Sequence, residues 1–78
     1  MEKIRAALKN VFPELKEEMI TDGLKLYDIP GWDSMNVINF QLELETILGL
    51  DLSTFQLTGD LTLKQLKDKL SEAGASDI

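Results

Sequence analysis

The sequence predicts a small all-α protein, a four-helix bundle with a long first loop and a very short third helix. Three observations predict this class. Apolar residues recur at helical spacing in three separate segments, helix-capping residue types flank those segments, and no alternation of apolar and polar residues is long enough for a β-strand. With 78 residues, the chain is expected to form one domain, residues 1–78, around a small core.

The first helix follows from an apolar face formed by Ile4, Ala7, Leu8 and Val11, which have i, i+3, i+4, i+7 spacing. Between residues 13 and 33 the apolar spacing becomes irregular, and proline, glycine, threonine and aspartate supply turn residues. We therefore expect a long, partly ordered loop after the first helix.

The second helix is predicted from about Ser34 to Leu48, with Asp33 as its N-cap and Gly49 as the left-handed residue that ends it. Its apolar residues fall into two stripes on the helical projection, roughly 150° apart. The core stripe consists of Val37, Phe40, Leu44, Ile47 and Leu48, and the second stripe of Met35, Ile38 and Leu42. The second stripe is expected either to be covered by the long loop or to stay exposed and bind partner proteins.

The last two helices are predicted from capping-box spacing. Ser53 and Gln56 have this spacing before a very short third helix, and Thr62 and Gln65 repeat it before the last one. The core stripe of the last helix is expected to consist of Leu63, Leu66, Leu70 and Ala73. Residues 75–78 are expected to fray.

Composition excludes several classes of function. Cysteine and histidine are absent, so disulfides, zinc-thiolate sites and thiol catalysis are excluded, and no metal site is expected. The net charge is −6, and residues 10–63 contain ten acidic but two basic side chains, which argues against a nucleic-acid-binding protein. No apolar run approaches the roughly 18 residues of a membrane span. We expect a cytoplasmic protein without a membrane span.

The segment IPGWDSMN contains a serine directly at the start of the second helix. A serine nucleophile needs a base, most often histidine, and this chain has none. Ser34 is therefore expected to be a site of modification, because a phosphate ester at a helix start meets free backbone N–H groups. The alternative is that Asp33 and Ser34 serve only as capping residues. In either case the protein is not expected to be an enzyme.

The run GWDSMNVINFQLELE, which follows one helix and a long loop, resembles the acyl carrier protein family, and the resemblance covers essentially the whole chain. Members of that family are four-helix bundles in which the serine of a Gly-x-Asp-Ser-(Leu/Met) motif receives 4′-phosphopantetheine from coenzyme A. The resemblance implies that Ser34 is the attachment site. Gly31, Asp33 and Met35 occupy the other motif positions, and the thiol of the prosthetic group carries the cargo as a thioester.

Two departures from the family pattern affect recognition. Asn36 and Asn39 stand where many fatty-acid carriers have acids that meet basic residues of partner enzymes. We therefore expect the second stripe, with Glu43 and Glu45 further along the helix, to bind partners. Trp32 stands where small residues are frequent, which is more similar to stand-alone carriers of specialised pathways. Its ring is expected either to pack the loop on the bundle or to shape the path of the prosthetic arm.

The resemblance implies a monomeric carrier that presents acyl groups to enzymes of fatty-acid, polyketide or modified-lipid synthesis. Its partners are then a phosphopantetheinyl transferase and the acyl-loading and acyl-processing enzymes. Two alternatives remain open: an amino-acyl carrier, such as a D-alanyl or peptidyl carrier, and an unmodified helical module whose second stripe binds one partner.

Overall fold

The computed structural model describes residues 2–75 and 78, and within them the protein is all-α. The chain forms α1 (Glu2–Val11), α2 (Ser34–Leu48) and α3 (Leu63–Glu72), with two short 3-10 helices, Glu17–Met19 and Leu26–Asp28, between α1 and α2. In this described part no β-strand occurs, and one isolated antiparallel bridge joins Lys25 to Thr62. The predicted fold class is confirmed at this level.

The three helices form where periodicity and caps predicted them. The core stripes are buried except at a few positions. In α1 and α3 the buried members are Ile4, Ala7, Leu8, Leu63, Leu66 and Leu70, while Val11 is partly buried against the core. In α2, Phe40 and Leu44 are fully buried, Ile47 and Leu48 are partly buried against the core, and Val37 is half-buried. Both halves of the predicted capping box are present in α3: the Gln65 backbone N–H donates to Thr62 Oγ1 at 3.2 Å, and the Thr62 N–H donates to Gln65 Oε1 at 2.9 Å. These local signals were sufficient because each acts within one turn of helix.

The end of α3 differs from the prediction at Ala73. This residue was expected on the core stripe, but α3 ends at Glu72 and Ala73 is exposed. Gly74 follows with a φ of +112° and turns the chain away from the helix axis. Ala75 and Ile78 pack against the core, and the Ile4 N–H donates to the Ile78 carbonyl at 3.0 Å. Of the tail predicted to fray, Ser76 and Asp77 lie outside the described residues.

The prediction of a very short third helix is wrong. The Ser53 N–H donates to Asp51 Oδ1 at 2.9 Å, a local turn that replaces the expected capping box and lowers the pKa of Asp51. Leu52 is buried, and two α2 side chains form hydrogen bonds with its backbone carbonyl and N–H groups. Gln41 donates to the Leu52 carbonyl at 2.6 Å, and Glu45 accepts the Leu52 N–H at 3.0 Å. The Leu52 carbonyl also accepts the Phe55 N–H at 2.9 Å, so the segment forms one hydrogen-bonded turn and does not continue as a helix.

The long loop after α1 is more ordered than predicted. Its irregularly spaced apolar side chains are buried one by one, and they are Leu15, Ile20, Leu24, Leu26 and Ile29. Backbone hydrogen bonds fasten it to the segment before α3: the Leu26 N–H donates to the Leu61 carbonyl at 2.9 Å and the Tyr27 N–H to the Gly59 carbonyl at 3.0 Å. Turn geometry and non-local bonds bury these residues, so helical periodicity did not reveal them.

The long loop packs on the core and leaves the second stripe of α2 uncovered. Met35 is 72% exposed, Ile38 60% and Leu42 56%. The opposite face of α2 packs against α1 and the rest of the core, so α2 has one buried and one solvent-facing apolar face. None of the helices in residues 2–75 combines the length and the hydropathy that a membrane crossing needs.

Candidate functional site

The site begins in the pre-helix turn, residues 29–32. The Trp32 N–H donates to the Ile29 carbonyl at 3.1 Å, and Gly31 has a φ of +89°, a left-handed conformation that favours glycine. The half-buried Trp32 ring stacks on Phe12 with centroids 5.7 Å apart, and Phe12 meets Phe40 edge-on at 5.8 Å. This aromatic series anchors the pre-helix turn to the buried face of α2.

Asp33 is the N-cap of α2, so capping does not require Ser34. Asp33 is extended, and its Oδ1 accepts the Asn36 N–H at 2.8 Å while its carbonyl accepts the Val37 N–H at 2.9 Å. Ser34 is the first helical residue, is exposed, and has no hydrogen bond to its hydroxyl within the described part of the chain. Its hydroxyl is therefore free to react, at the positive end of a helix of 15 residues.

Asn36 contacts the pre-helix turn, which the sequence did not reveal. Its Nδ2 donates to the Gly31 carbonyl at 2.8 Å, and its side chain is half-buried. The sequence indicated Asn36 only as a position where acids are frequent in similar carriers. Asn39, one turn further, is exposed. The two asparagines therefore have different environments, although the sequence presented them as equivalent.

The acids predicted to contact partners are partly engaged within the protein. Glu43 accepts a hydrogen bond from the Asn10 side chain at 3.2 Å, and Glu45 accepts the Leu52 N–H. Both side chains are half-buried. Their contact with partners stays a prediction, and the exposed part of α2 beside Ser34 is mainly apolar.

Tyr27 is an exposed aromatic residue near the site that the sequence analysis did not single out. It is 52% exposed, lies next to Gly59 with Trp32, and has the Lys25 ammonium 5.6 Å from its ring centroid. No sequence pattern indicated that Tyr27 lies near the site, because its position depends on the non-local pairing between the loop and the segment before α3.

The residues predicted to hold the prosthetic group lie next to one another at the start of α2. Gly31 and Trp32 shape the turn, Asp33 caps α2, and Ser34 and Met35 extend from its first turn into solvent. In residues 2–75 and 78, no cluster of carboxylates suitable for a metal ion occurs. Comparisons with protein-family models, with curated proteins and with solved structures find no match for this chain.

Proposed function

We propose that the protein is a carrier whose Ser34 receives 4′-phosphopantetheine from coenzyme A and which then carries acyl groups as thioesters. One observation carries this proposal: Ser34 is exposed at the first position of α2, and its hydroxyl is not needed as a cap because Asp33 caps the helix. A serine needed only for the helix start would be expected to accept a backbone N–H, as Thr62 does in α3.

The residues present fit the prosthetic group. A primary hydroxyl is the acceptor that a phosphodiester requires, and the free N–H groups at the start of α2 favour an anion there. The bound group supplies the thiol that this cysteine-free chain lacks. The residues proposed to hold and orient it are Gly31, Trp32, Asp33, Ser34 and Met35.

The modification is a phosphoryl transfer onto Ser34. The Ser34 Oγ attacks the phosphorus of coenzyme A that bears the pantetheine arm, and a new O–P bond forms. The P–O bond of the pyrophosphate breaks, and adenosine 3′,5′-bisphosphate leaves with the electron pair. The serine proton passes to a general base, which the transferase is proposed to supply.

The second stripe is proposed to bind the partner enzymes. Its exposed, adaptable side chains lie on the same helix as Ser34, within reach of any enzyme that acts on the prosthetic arm. The partners proposed are a phosphopantetheinyl transferase and the acyl-loading and acyl-processing enzymes of fatty-acid, polyketide or modified-lipid synthesis. A monomer of the cytoplasm suits these successive encounters, because the stripe must stay open for each enzyme in turn.

The proposal is tested by the intact mass of the full chain after incubation with coenzyme A, Mg²⁺ and a broad-specificity phosphopantetheinyl transferase. We expect a gain of one phosphopantetheinyl group on the wild type and none on Ser34→Ala. Ser71→Ala is the matched control, because Ser71 is also exposed and helical, and it should gain the group. No gain on the folded wild type would overturn the proposal.

A second candidate is an unmodified module that binds one partner through the second stripe. The exposure of three apolar side chains on one face of α2 favours it independently of Ser34. In that case Ser34→Ala retains all function in cells, whereas Leu42→Asp abolishes it.

An amino-acyl carrier is distinguished at the next step, because the modified protein would be loaded by an amino-acid-activating enzyme and not by an acyl-activating one.

A further inference from the structure

We propose that Asn36 is a positioning residue, which fixes the pre-helix turn to the first turn of α2 and so sets the direction in which Ser34 is presented. The consequence for modification rests on the proposed function. The geometric part does not, because it concerns contacts within the unmodified chain.

Asn36 makes two hydrogen bonds that enclose Ser34. Its side-chain Nδ2 donates to the Gly31 carbonyl and its backbone N–H donates to Asp33 Oδ1, both at 2.8 Å. Ser34 lies between these bonded residues in the chain, and its own side chain contributes no hydrogen bond in the described part of the structure. The orientation of Ser34 therefore depends on groups around it.

The other side of the pre-helix turn is already fixed to the core. Trp32 stacks on Phe12, and its N–H closes the turn on the Ile29 carbonyl. The Asn36 amide is the side-chain link that runs from α2 back to Gly31, the left-handed residue of the turn. Without it, the Gly31 carbonyl loses its α2 partner, and the turn can rotate relative to the helix.

An amide is required at this position because the bond needs an N–H donor. Aspartate has nearly the same shape as asparagine, but its carboxylate cannot donate and repels the Gly31 carbonyl. Asn36→Asp also adds an acid where similar carriers often have one. Two roles for this position therefore predict opposite results. A docking role predicts faster modification by a basic transferase, and a positioning role predicts slower modification.

The test measures steady-state modification of the full chain by the transferase, with the carrier as the varied substrate. For Asn36→Asp and Asn36→Ala we expect kcat to fall about 3- to 10-fold with KM for the carrier nearly unchanged. Asn39→Asp is the matched control, since it adds the same charge to α2 at an exposed asparagine. Its kcat should equal that of the wild type.

A second readout uses the unmodified protein and does not depend on carrier function. Trp32 fluorescence and near-UV circular dichroism should change in Asn36→Asp and Asn36→Ala but not in Asn39→Asp, because Trp32 is part of the pre-helix turn. If the wild type is not modified at all, the proposed function fails and this readout still decides whether Asn36 holds the turn.

Three results would overturn the inference. An equal rise in kcat/KM for Asn36→Asp and Asn39→Asp would make Asn36 a docking position. Unchanged kcat in both Asn36 variants would show that Ser34 is presented without the amide. Trp32 spectra that match the wild type in folded Asn36→Ala would show that the bond does not hold the turn.

Discussion

At the scale of single residues, neighbouring side chains at the start of α2 have different roles. Asp33 caps the helix, Gly31 provides the left-handed turn, and Ser34 has an exposed hydroxyl without a structural partner in the described chain. This division suits the proposed modification, because a hydroxyl that caps a helix is already engaged by a backbone N–H.

Asp33→Ala is expected to destabilise the protein by about 1 kcal/mol, the usual cost of losing an N-cap side chain. The Asn36 N–H would lose its acceptor at the first turn of α2. Urea denaturation followed by far-UV circular dichroism measures the change. Asp28→Ala is the control, because it removes a similar exposed charge before α2 without removing a cap. Equal stability of the two variants would contradict the capping role.

Gly59→Ala is expected to destabilise the protein and to alter Trp32 fluorescence. A Cβ at Gly59 would lie 3.0 Å from Tyr27 Cβ and 3.3 Å from Trp32 Nε1, so the loop residues would have to move. Gly23→Ala is the matched control, since a Cβ there meets nothing within 4 Å. Its stability should equal or slightly exceed that of the wild type. Similar melting temperatures for both variants would show that the loop yields at Gly59 without cost.

At the scale of elements, the loop between α1 and α2 is held from both ends. Glu17, in the first 3-10 helix, pairs with Arg5 and Lys9 of α1. The other end pairs with the segment before α3, where the Leu63 N–H donates to the Leu24 carbonyl at 2.9 Å. These contacts fasten a segment without helical periodicity to α1 and to the segment before α3, away from the exposed second stripe.

Glu17→Gln is expected to lower stability at neutral pH but not in acid. The hydrogen bond from Lys9 is the largest cause that lowers the pKa of Glu17 from its ordinary value of 4.5, and Arg5 lowers it further. A carboxylate with a lowered pKa stabilises the folded state above its unfolded pKa, and this contribution is lost as the pH falls through the folded pKa.

The melting temperature of Glu17→Gln and of the wild type, measured from pH 7 to pH 3, checks this prediction. The difference should be present at pH 7 and should disappear below pH 4.5, the ordinary pKa of Glu17. Added salt should also reduce it, because the ion pairs are exposed. Glu18→Gln, a neighbouring exposed acid outside the described ion pairs, is the control. A difference that persists unchanged in acid would contradict the ionic explanation.

At the scale of the whole molecule, one small core supports the fold while an apolar face stays in water. Phe40 of α2 is fully buried in that core and meets the Phe12 ring edge-on. On the opposite face of the same helix, the second stripe is exposed. Stability and the proposed partner recognition are therefore expected to be separable by substitutions on the two faces of α2.

Phe40→Ala is expected to cost roughly 3 to 5 kcal/mol. A domain of this size has a total free energy of unfolding of the order of 4 to 12 kcal/mol. The variant should therefore lose a large part of its free energy of unfolding, which urea denaturation followed by near-UV circular dichroism would measure. Leu42→Ala, an apolar truncation on the exposed face of the same helix, should leave stability nearly unchanged. A large loss for Leu42→Ala would mean that the second stripe supports the fold.

The sequence by itself determined the three helices and the cap that precedes Ser34. Helical spacing, the Thr62 and Gln65 capping box, the Asp33 cap and Gly49 all act within a turn or two of helix, so residues near one another in the chain are sufficient to specify them. The site residues from Gly31 to Met35 are consecutive, which made their proximity readable before any fold was known.

The tertiary structure alone decided what the irregular segments do and which apolar face stays exposed. Gln41 and Glu45 fasten the backbone of Leu52 to α2, and a single turn from Leu52 to Phe55 stands where a third helix was expected. The loop after α1 is buried residue by residue through bonds to distant backbone, and Asn36 reaches Gly31 across a left-handed turn. Such contacts join groups whose separation in the chain follows no helical or strand period. The sequence pattern therefore does not predict them, and they become apparent only in the packed chain.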